Sequence, residues 1–136
     1  MNTTIEDIKQ QLTCFTGTTR YYRFSQLFAY LLLTDGTKYL AEACKCYWLI
    51  EEIAVLQIHP HIYHHPTLQM IQFWTLVVRK DSTATLWCEW DEGKTVYTKE
   101  ISYTTFPFAK IRLWVQPFSY SKDGKREWVI HLPSEY

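Results

Sequence analysis

The second half of the chain contains a series of short segments in which apolar and polar residues alternate. Alternation with a period of two is typical of strands with one buried face, and the Asp, Ser and Gly residues between these segments favour tight turns. The predicted strands are residues 73–80, 84–91, 95–103 and 111–116, with a final strand at residues 127–132. This pattern predicts a compact antiparallel sheet rather than a catalytic scaffold.

Three short connections between these strands have the composition of turns. Residues 91–94 contain a glycine, and residues 122–125 contain the pair Asp-Gly, which readily supplies the positive φ angles of a hairpin turn. Residues 81–83 are expected to join the first two strands in the same way. The strands on either side of each of these turns are therefore predicted to pair as antiparallel neighbours.

The first half of the chain is predicted to supply the helices. Thr3 precedes Glu6 by the spacing of a capping box, and the apolar stripe that follows predicts a helix that Gly17 closes and that covers one face of the sheet. Residues 46–58 carry apolar side chains at helical spacing and predict the main packing helix, which Pro60 ends.

The segment between these two helices is ambiguous. Residues 21–30 are interpreted as a short helix or a turn, because their apolar residues fit a helical stripe. Residues 31–41 are predicted to form a hairpin around Asp35 and Gly36. The alternative for this second segment is a helix capped by Thr37.

The composition places the chain among globular domains. A length of 136 residues fits one domain, and a hydrophobic share of 47% is sufficient for a core. Fourteen basic residues balance fourteen acidic ones, so no overall field attracts the chain to a polyanion or a membrane. No apolar run approaches the roughly 20 residues of a membrane helix, and the N-terminus lacks the pattern of a secretory signal. We therefore expect a cytoplasmic protein without a membrane partner.

These patterns together predict an α+β fold. Residues 1–136 are expected to form a single domain in which a mostly antiparallel sheet of five or six strands packs against two or three helices. An exposed edge strand would also allow a homodimer to form by sheet extension, although the sequence does not say which edge is free.

Cysteine and histidine are the residues most often used as nucleophiles and metal ligands, and neither forms a recognisable motif here. The cysteines, which lack zinc or redox spacing and are expected to be small buried apolar groups, are Cys14, Cys44, Cys46 and Cys88. Four of the five histidines crowd into one short segment, at His59, His61, His64 and His65. Imidazole binds zinc, nickel and copper, but the flanking prolines and the lack of a nearby carboxylate weigh against a metal site. The sequence favours a non-enzymatic protein without a cofactor, and a metal-dependent enzyme with a His-rich loop is the third interpretation.

Strand alternation predicts which large side chains face away from the core. The outward residues of segments 84–91 and 111–116 include the four main candidate binding residues, which are Trp87, Glu89, Arg112 and Trp114. Tryptophan and arginine among polar residues are enriched at protein interfaces. The alternative is that the first helix or the N-terminal hairpin covers these rings. Tyr21 and Tyr22 form a second candidate patch.

A nucleic-acid platform is the alternative function for the same sheet. Aromatic side chains on a sheet stack on bases when cations lie nearby. The local cations, which share the second half of the chain with several glutamates, are Lys99, Lys110, Arg112, Lys122, Lys125 and Arg126. The mixture of charges weakens this alternative.

Several short motifs resemble those of a family of small bacterial and phage-borne domains of unknown function. The motifs are Phe-Thr-Gly at 15–17, Tyr-Arg at 22–23, Thr-Asp-Gly-Thr-Lys-Tyr-Leu-Ala-Glu at 34–42, Tyr-Trp-Leu at 47–49, Glu-Ile-Ala at 52–54, Phe-Trp-Thr-Leu at 73–76, Val-Tyr-Thr-Lys at 96–99, Phe-Pro at 106–107 and Leu-Pro-Ser-Glu-Tyr at 132–136. This resemblance spans nearly the whole chain and implies a free-standing domain that is often associated with mobile elements. It carries no activity, so the expected function is a protein-binding accessory or inhibitor of phage or mobile-element biology.

Overall fold

The computed structural model of the chain describes residues 4–120 and 126–136. Within these residues the helices are α1 (Ile5–Leu12), α2 (Asp35–Ala43), α3 (Tyr47–Leu56) and α4 (Pro60–Tyr63), with 3-10 turns at Thr67–Gln69 and Pro133–Glu135. The strands are β1 (Tyr21–Arg23), β2 (Leu31–Thr34), β3 (Gln72–Val78), β4 (Ala84–Glu89), β5 (Thr95–Ile101), β6 (Lys110–Tyr120) and β7 (Arg126–His131).

All seven strands belong to one mixed sheet in the order β1-β2-β7-β6-β3-β4-β5. Strands β2 and β7 are parallel, and every other neighbouring pair is antiparallel. The predicted α+β class and mostly antiparallel sheet are confirmed, but the sheet has seven strands rather than five or six. The two additional strands come from the segment that was interpreted as a helix or turn followed by a hairpin.

The hairpins β3–β4 and β4–β5 form where the turn residues predicted them. Ser82 and Gly93 have φ angles of 68° and 75°, which reverse the chain between antiparallel strands. The predicted turn at residues 122–125, and the cations Lys122 and Lys125, lie outside the described residues.

The first helix begins one residue later than predicted. Thr4 is its N-cap: the hydroxyl of Thr4 accepts the N–H of Asp7 at 3.1 Å, and the carboxylate of Asp7 accepts the N–H of Thr4 at 3.2 Å. Thr3, the predicted cap, lies outside the described residues. The helix ends at Leu12, and Gly17 does not take the left-handed conformation that was expected of it. Helix α1 contacts α2, so α1 lies against another helix.

The predicted hairpin around Asp35 and Gly36 is instead the first turn of α2, and Thr34 rather than Thr37 caps that helix. The hydroxyl oxygen of Thr34 accepts the N–H of Thr37 at 3.2 Å, while the carboxylate of Glu135 accepts the N–H of Gly36 at 3.0 Å. A carboxylate at a helix N-terminus satisfies a free donor and complements the helix dipole. Because Glu135 lies at the other end of the chain, no local pattern at residues 34–37 could indicate this partner.

The core lies between the helices and one face of the sheet, which we call the inner face. Helix α3 confirms the predicted packing helix and buries Leu49, Ile50 and Ile53 completely. The sheet residues that share this core, all at alternate strand positions, are Leu31, Leu33, Trp74, Leu76, Ala84, Leu86, Cys88, Leu113, Val115 and Ile130. The opposite face of β3, β4 and β6 is the open face.

Candidate functional site

The open face of the sheet carries the four main candidate residues. Along β4, Ala84, Leu86 and Cys88 are buried while Thr85, Trp87 and Glu89 are half-buried, as strand alternation predicts. Trp114 is half-buried and Arg112 is exposed on the same face of β6. The structure therefore brings Trp87, Glu89, Arg112 and Trp114 together on one surface.

Strand register arranges this surface in two rows that run across the sheet. In one row Thr75 lies between Trp87 and Arg112, and in the next Phe73 lies between Glu89 and Trp114. Strand β3 therefore separates the two pairs of candidate residues. Phe73 meets the ring of Trp114 edge to face, with ring centroids 5.0 Å apart.

The two rows form a shallow depression of about 380 Å³, which we call the open-face groove. The groove is lined by Phe73, Trp74, Thr75, Glu89, Asp91, Glu92, Arg112 and Trp114. Thr75 is only 4% exposed although it points to the open face, because its two large neighbours in the row rise on either side. A small residue between Trp87 and Arg112 thus creates the floor.

Glu89 fixes one wall of the open-face groove. One carboxylate oxygen accepts the indole N–H of Trp87 at 2.7 Å, and the other accepts the backbone N–H of Gly93 at 2.7 Å. The first bond orients the indole, and the second links the strand to the β4–β5 turn. Both oxygens are occupied, so Glu89 holds the wall in place.

Arg112 differs from the other arginine on this face. Arg79 donates to Thr83 at 2.8 Å, to Thr85 at 2.7 Å and to Glu100 at 2.9 Å. The guanidinium of Arg112 forms no hydrogen bond or ion pair with any residue in the ranges 4–120 and 126–136. A guanidinium has five N–H donors in a planar fork that matches a carboxylate or phosphate. Arg112 is therefore available to an anionic group of a ligand.

The C-terminal residue lies against the ring of Trp114, and the end of the first helix, at Leu12 and Thr13, lines a second depression together with Lys110 and Arg112. The ring of Tyr136 is 5.3 Å from that of Trp114 and 6.1 Å from that of His131. Tyr136 is 77% exposed and does not line the open-face groove, so it lies outside the groove beside Trp114.

The second candidate patch is divided between the two faces of the sheet. Tyr21 stacks against Phe118 with ring centroids 4.4 Å apart, whereas Tyr22 donates its hydroxyl to the carboxylate of Asp35 at 2.9 Å. Adjacent residues of a strand point in opposite directions, so these tyrosines form no common surface.

Asp35 organises the connection before α2. The backbone N–H of Thr19, reinforced by the hydroxyls of Tyr22 and Thr19, lowers the pKa of this carboxyl from 3.8 to about 2. The hydrogen bond to Asp35 in turn raises the pKa of Tyr22. This cluster fixes the loop and the start of the helix.

The histidine segment folds as α4 and a 3-10 turn rather than as the predicted loop. His59 caps α4 and accepts the N–H of His61 at 3.2 Å, and its ring lies 5.1 Å from that of Tyr97. His65 accepts the N–H of Leu68 at 3.4 Å. Among the described residues, no group of three His, Cys, Asp or Glu side chains is placed to hold a metal ion.

The cysteines occupy two kinds of position. Cys44, Cys46 and Cys88 are buried as expected, and burial raises the pKa of Cys44 to about 11 and that of Cys46 to about 12. Cys14 is exposed, so the prediction that it is buried is wrong. The three buried thiols stay protonated at neutral pH and pack as apolar groups.

The cations proposed for nucleic acid are not gathered on the open face. Lys110 and Arg112 lie there, but Lys99 pairs with Glu52 on α3. Arg126 donates to the carbonyl of Gln69 at 3.0 Å and lies over the ring of Trp128. The described part of the open face therefore offers a phosphate backbone only a short basic strip.

Sequence reasoning missed five of the eight residues that line the open-face groove, and its candidate Trp87 is not among the eight. Phe73 and Thr75 form its centre, and Asp91 and Glu92 form its acidic end. Alternation along β3 would have placed both of the first two on one face, but the sequence does not show that β3 lies between β4 and β6. The strand order of the sheet, which alternation along the sequence does not reveal, places Phe73 and Thr75 between the predicted residues.

The fold and the groove define a class of protein: an α+β domain whose mixed sheet is covered by helices on one face and keeps an aromatic, charged groove on the other. None of the described helices is long and apolar enough to cross a membrane. The chain belongs to a family of unknown function, DUF6876, whose family model matches residues 6–136. No curated protein and no solved structure matches the chain.

Proposed function

We propose that this chain is a non-enzymatic binding module that holds a partner protein in the open-face groove. The observation that carries the proposal is Arg112, an exposed guanidinium without a described partner that lies next to Trp114 on the face that also carries Trp87. Tryptophan and arginine dominate the binding energy of protein interfaces, because they combine large apolar area with directional hydrogen bonds. An accessory or inhibitor role in phage or mobile-element biology is part of this proposal and rests on the sequence resemblance.

The geometry of the groove suits binding better than chemistry. Its central carboxylate, Glu89, is occupied by the Trp87 indole and the Gly93 amide, so it orients a ring rather than accepts a proton. The half-buried rings of Phe73 and Trp114 present apolar surface that is already held in place. Side chains that are ordered before a partner arrives lose less freedom on binding.

A nucleic acid is the alternative ligand, and the charges of the groove disfavour it. A phosphate backbone carries a negative charge at every nucleotide. A strand that contacted Arg112 and stacked on Trp114 would also approach Asp91 and Glu92, which line the same groove. Like charges brought together in this way oppose association.

An affinity capture experiment tests the proposal. Tagged wild-type chain is used to capture partners from a lysate of its native host, with and without nuclease, and the retained proteins are identified by mass spectrometry. The test variant is Arg112→Gln/Trp114→Ala. The matched control is Arg79→Gln/Tyr103→Ala, which removes an arginine and an aromatic residue from exposed positions outside the groove.

The proposal expects one identified protein that survives nuclease, is retained by the control variant and is lost by the test variant. Affinity of that protein should fall less steeply with salt than that of a nucleic acid, because salt screens the few charge contacts and leaves the apolar contact in place. Recovery of nucleic acid alone, with a steep loss of binding as salt rises, would contradict the proposal and favour the alternative.

A further inference from the structure

The open-face groove is charged in opposite senses at its two ends. Arg112 lies in the row of Trp87, with Lys110 in the row before it. Asp91 and Glu92 lie at the other end, beyond the row that contains Phe73, and they line the same groove. Neither acidic side chain forms an ion pair with a cation of the described chain. Both ends therefore present unpaired charge to a ligand.

Between these ends lies a section in which Phe73 has Trp114 on one side and, on the other, the carboxylate of Glu89, whose oxygens are already bound by Trp87 and Gly93. Phe73 and Trp114 pack edge to face in the row between the arginine and the acidic turn. The groove thus presents a cation, a pair of aromatic rings and two carboxylates in that order along the strand direction.

The spacing of these features matches an extended polypeptide. Arg112 and Trp114 are two residues apart on β6, which corresponds to about 7 Å at the rise of an antiparallel strand, and Asp91 follows two residues after Glu89, where β4 ends, so the groove advances by about two residues from one section to the next. An extended peptide points residues i, i+2 and i+4 toward the same side and covers the same length. Three side chains of one such segment can therefore meet the three sections of the groove together.

We infer that the open-face groove binds an extended segment of the partner protein in which an acidic residue and a basic residue stand four positions apart with an apolar residue midway. The acidic side chain pairs with Arg112, the apolar side chain packs on Phe73 and Trp114, and the basic side chain meets Asp91 and Glu92. The segment can run in either direction along the groove, so the acidic residue can precede or follow the basic residue. This inference rests on the proposed function and names the class of partner.

Peptide display tests the inference with a defined probe. Labelled full-length chain is used to sort a yeast-displayed library of random nine-residue peptides, and enriched peptides are then synthesised and titrated by fluorescence anisotropy. Enriched sequences should share the acidic, apolar and basic residues at the stated spacing. Loss of a hydrogen-bonded charge pair predicts that Arg112→Gln weakens binding by about tenfold or more.

Two variants make this result specific. Arg79→Gln, an arginine on the same face with its own partners, should bind the same peptides within about twofold, because it lies outside the groove. Arg112→Glu should reject the enriched peptides and accept versions in which lysine replaces the acidic residue. Circular dichroism of each variant establishes that it is folded before titration.

Three outcomes would overturn the inference: no enrichment, enriched peptides without the charge pattern, or equal binding by Arg112→Gln. If the chain still retained the partner captured from the lysate, it would bind that partner through another surface, such as the β5 edge of the sheet. Enrichment of a peptide whose sequence occurs in this chain would identify the partner as a second copy of the chain. Loss of both capture and peptide enrichment would remove the proposed function as well.

Discussion

The two faces of the sheet each carry a tryptophan that is held by a residue two positions away, and they differ in the chemistry of that residue. On the inner face the indole N–H of Trp74 donates to the amide oxygen of Gln72 at 2.8 Å. On the open face the indole N–H of Trp87 donates to the carboxylate of Glu89 at 2.7 Å. Residues two apart on a strand share a face, so the same local geometry serves both pairs.

Burial explains why one partner is neutral and the other is charged. Gln72 is 0% exposed and is bound in turn by Gln57, whose side-chain amide exchanges two hydrogen bonds with it at 2.8 and 2.9 Å. A carboxylate in that position would lose its hydration, whereas Glu89 remains in contact with solvent. The inner face is therefore built for stability, and the open face keeps charge at the surface.

Truncation of one tryptophan on each face should give the largest difference in the free energy of unfolding between the two faces. Trp74→Ala removes a ring that is 1% exposed and should lower the free energy of unfolding by about 3–5 kcal/mol, because it leaves a cavity and removes the indole hydrogen bond to Gln72. Trp114→Ala, on the open face, should lower it by about 1 kcal/mol. Urea denaturation with a constant slope measures both. Equal losses would show that the open face is also part of the core.

The C-terminal segment packs against the start of α2 on the helix-covered side of the sheet, and it approaches the helix very closely at Gly36. A Cβ at Gly36 would lie 2.6 Å from Oε1 of Glu135 and 2.7 Å from Cδ1 of Leu132. Gly36→Ala should therefore lower the free energy of unfolding by about 1–3 kcal/mol, as overpacking does. The measurement is again urea denaturation.

Gly17→Ala is the matched control, because nothing lies within 4 Å of a Cβ at that position. It should change stability by about 0.5 kcal/mol or less. Adding Glu135→Ala to Gly36→Ala relieves the closest contact, so the double variant should lose less than the sum of the two single variants. Strict additivity would show that the close approach does not cause the loss.

Acid should weaken the covered side through Asp35 at the start of α2. Its pKa of about 2 lies below the ordinary value of 3.8, so its contribution to stability is fully present above the ordinary value and disappears as the pH falls toward 2. Asp35→Asn lacks this contribution at every pH. The stability advantage of the wild type should be constant above about pH 5 and lost between about pH 4 and 2. Urea midpoints across this range measure the difference, and a pH-independent advantage would contradict the assignment.

The part of the fold that the sequence predicts well is the part that depends on neighbours in the chain. The β3–β4 and β4–β5 hairpins have turn residues at their tips and alternating side chains along their strands, so short-range chemistry decides both. The inward direction of Cys88 and the outward direction of Trp87 follow from the same alternation. The ends of β3, β4 and β5 differ from the predicted ends by at most two residues, as strand ends do.

The part that the sequence misses depends on residues far apart in the chain. Asp35 and Gly36 favour a turn locally, but Glu135 meets the helix start at a separation of 99 residues and stabilises helix instead. Strand β2 pairs with β7 in parallel, a contact for which residues 31–34 hold no local signal. In the candidate site, Phe73 and Thr75 joined the predicted residues only because β3 lies at the centre of that face.

The smallest expected effect compares two arginines on the open face. Arg79→Gln removes an exposed pair with Glu100 and bonds to two threonines, so it should lower the free energy of unfolding by about 0.5–1 kcal/mol. Arg112→Gln removes a guanidinium that bonds to no residue of the described chain, so its change should be near zero, within about 0.3 kcal/mol. Both are measured by urea denaturation at low ionic strength, where surface charge matters most. A larger loss for Arg112→Gln would mean that this arginine has a structural partner and would remove the main support for a ligand at the groove. The expected order, with the partnered arginine contributing to stability and the unpartnered one contributing to binding, would separate the two roles on a single face.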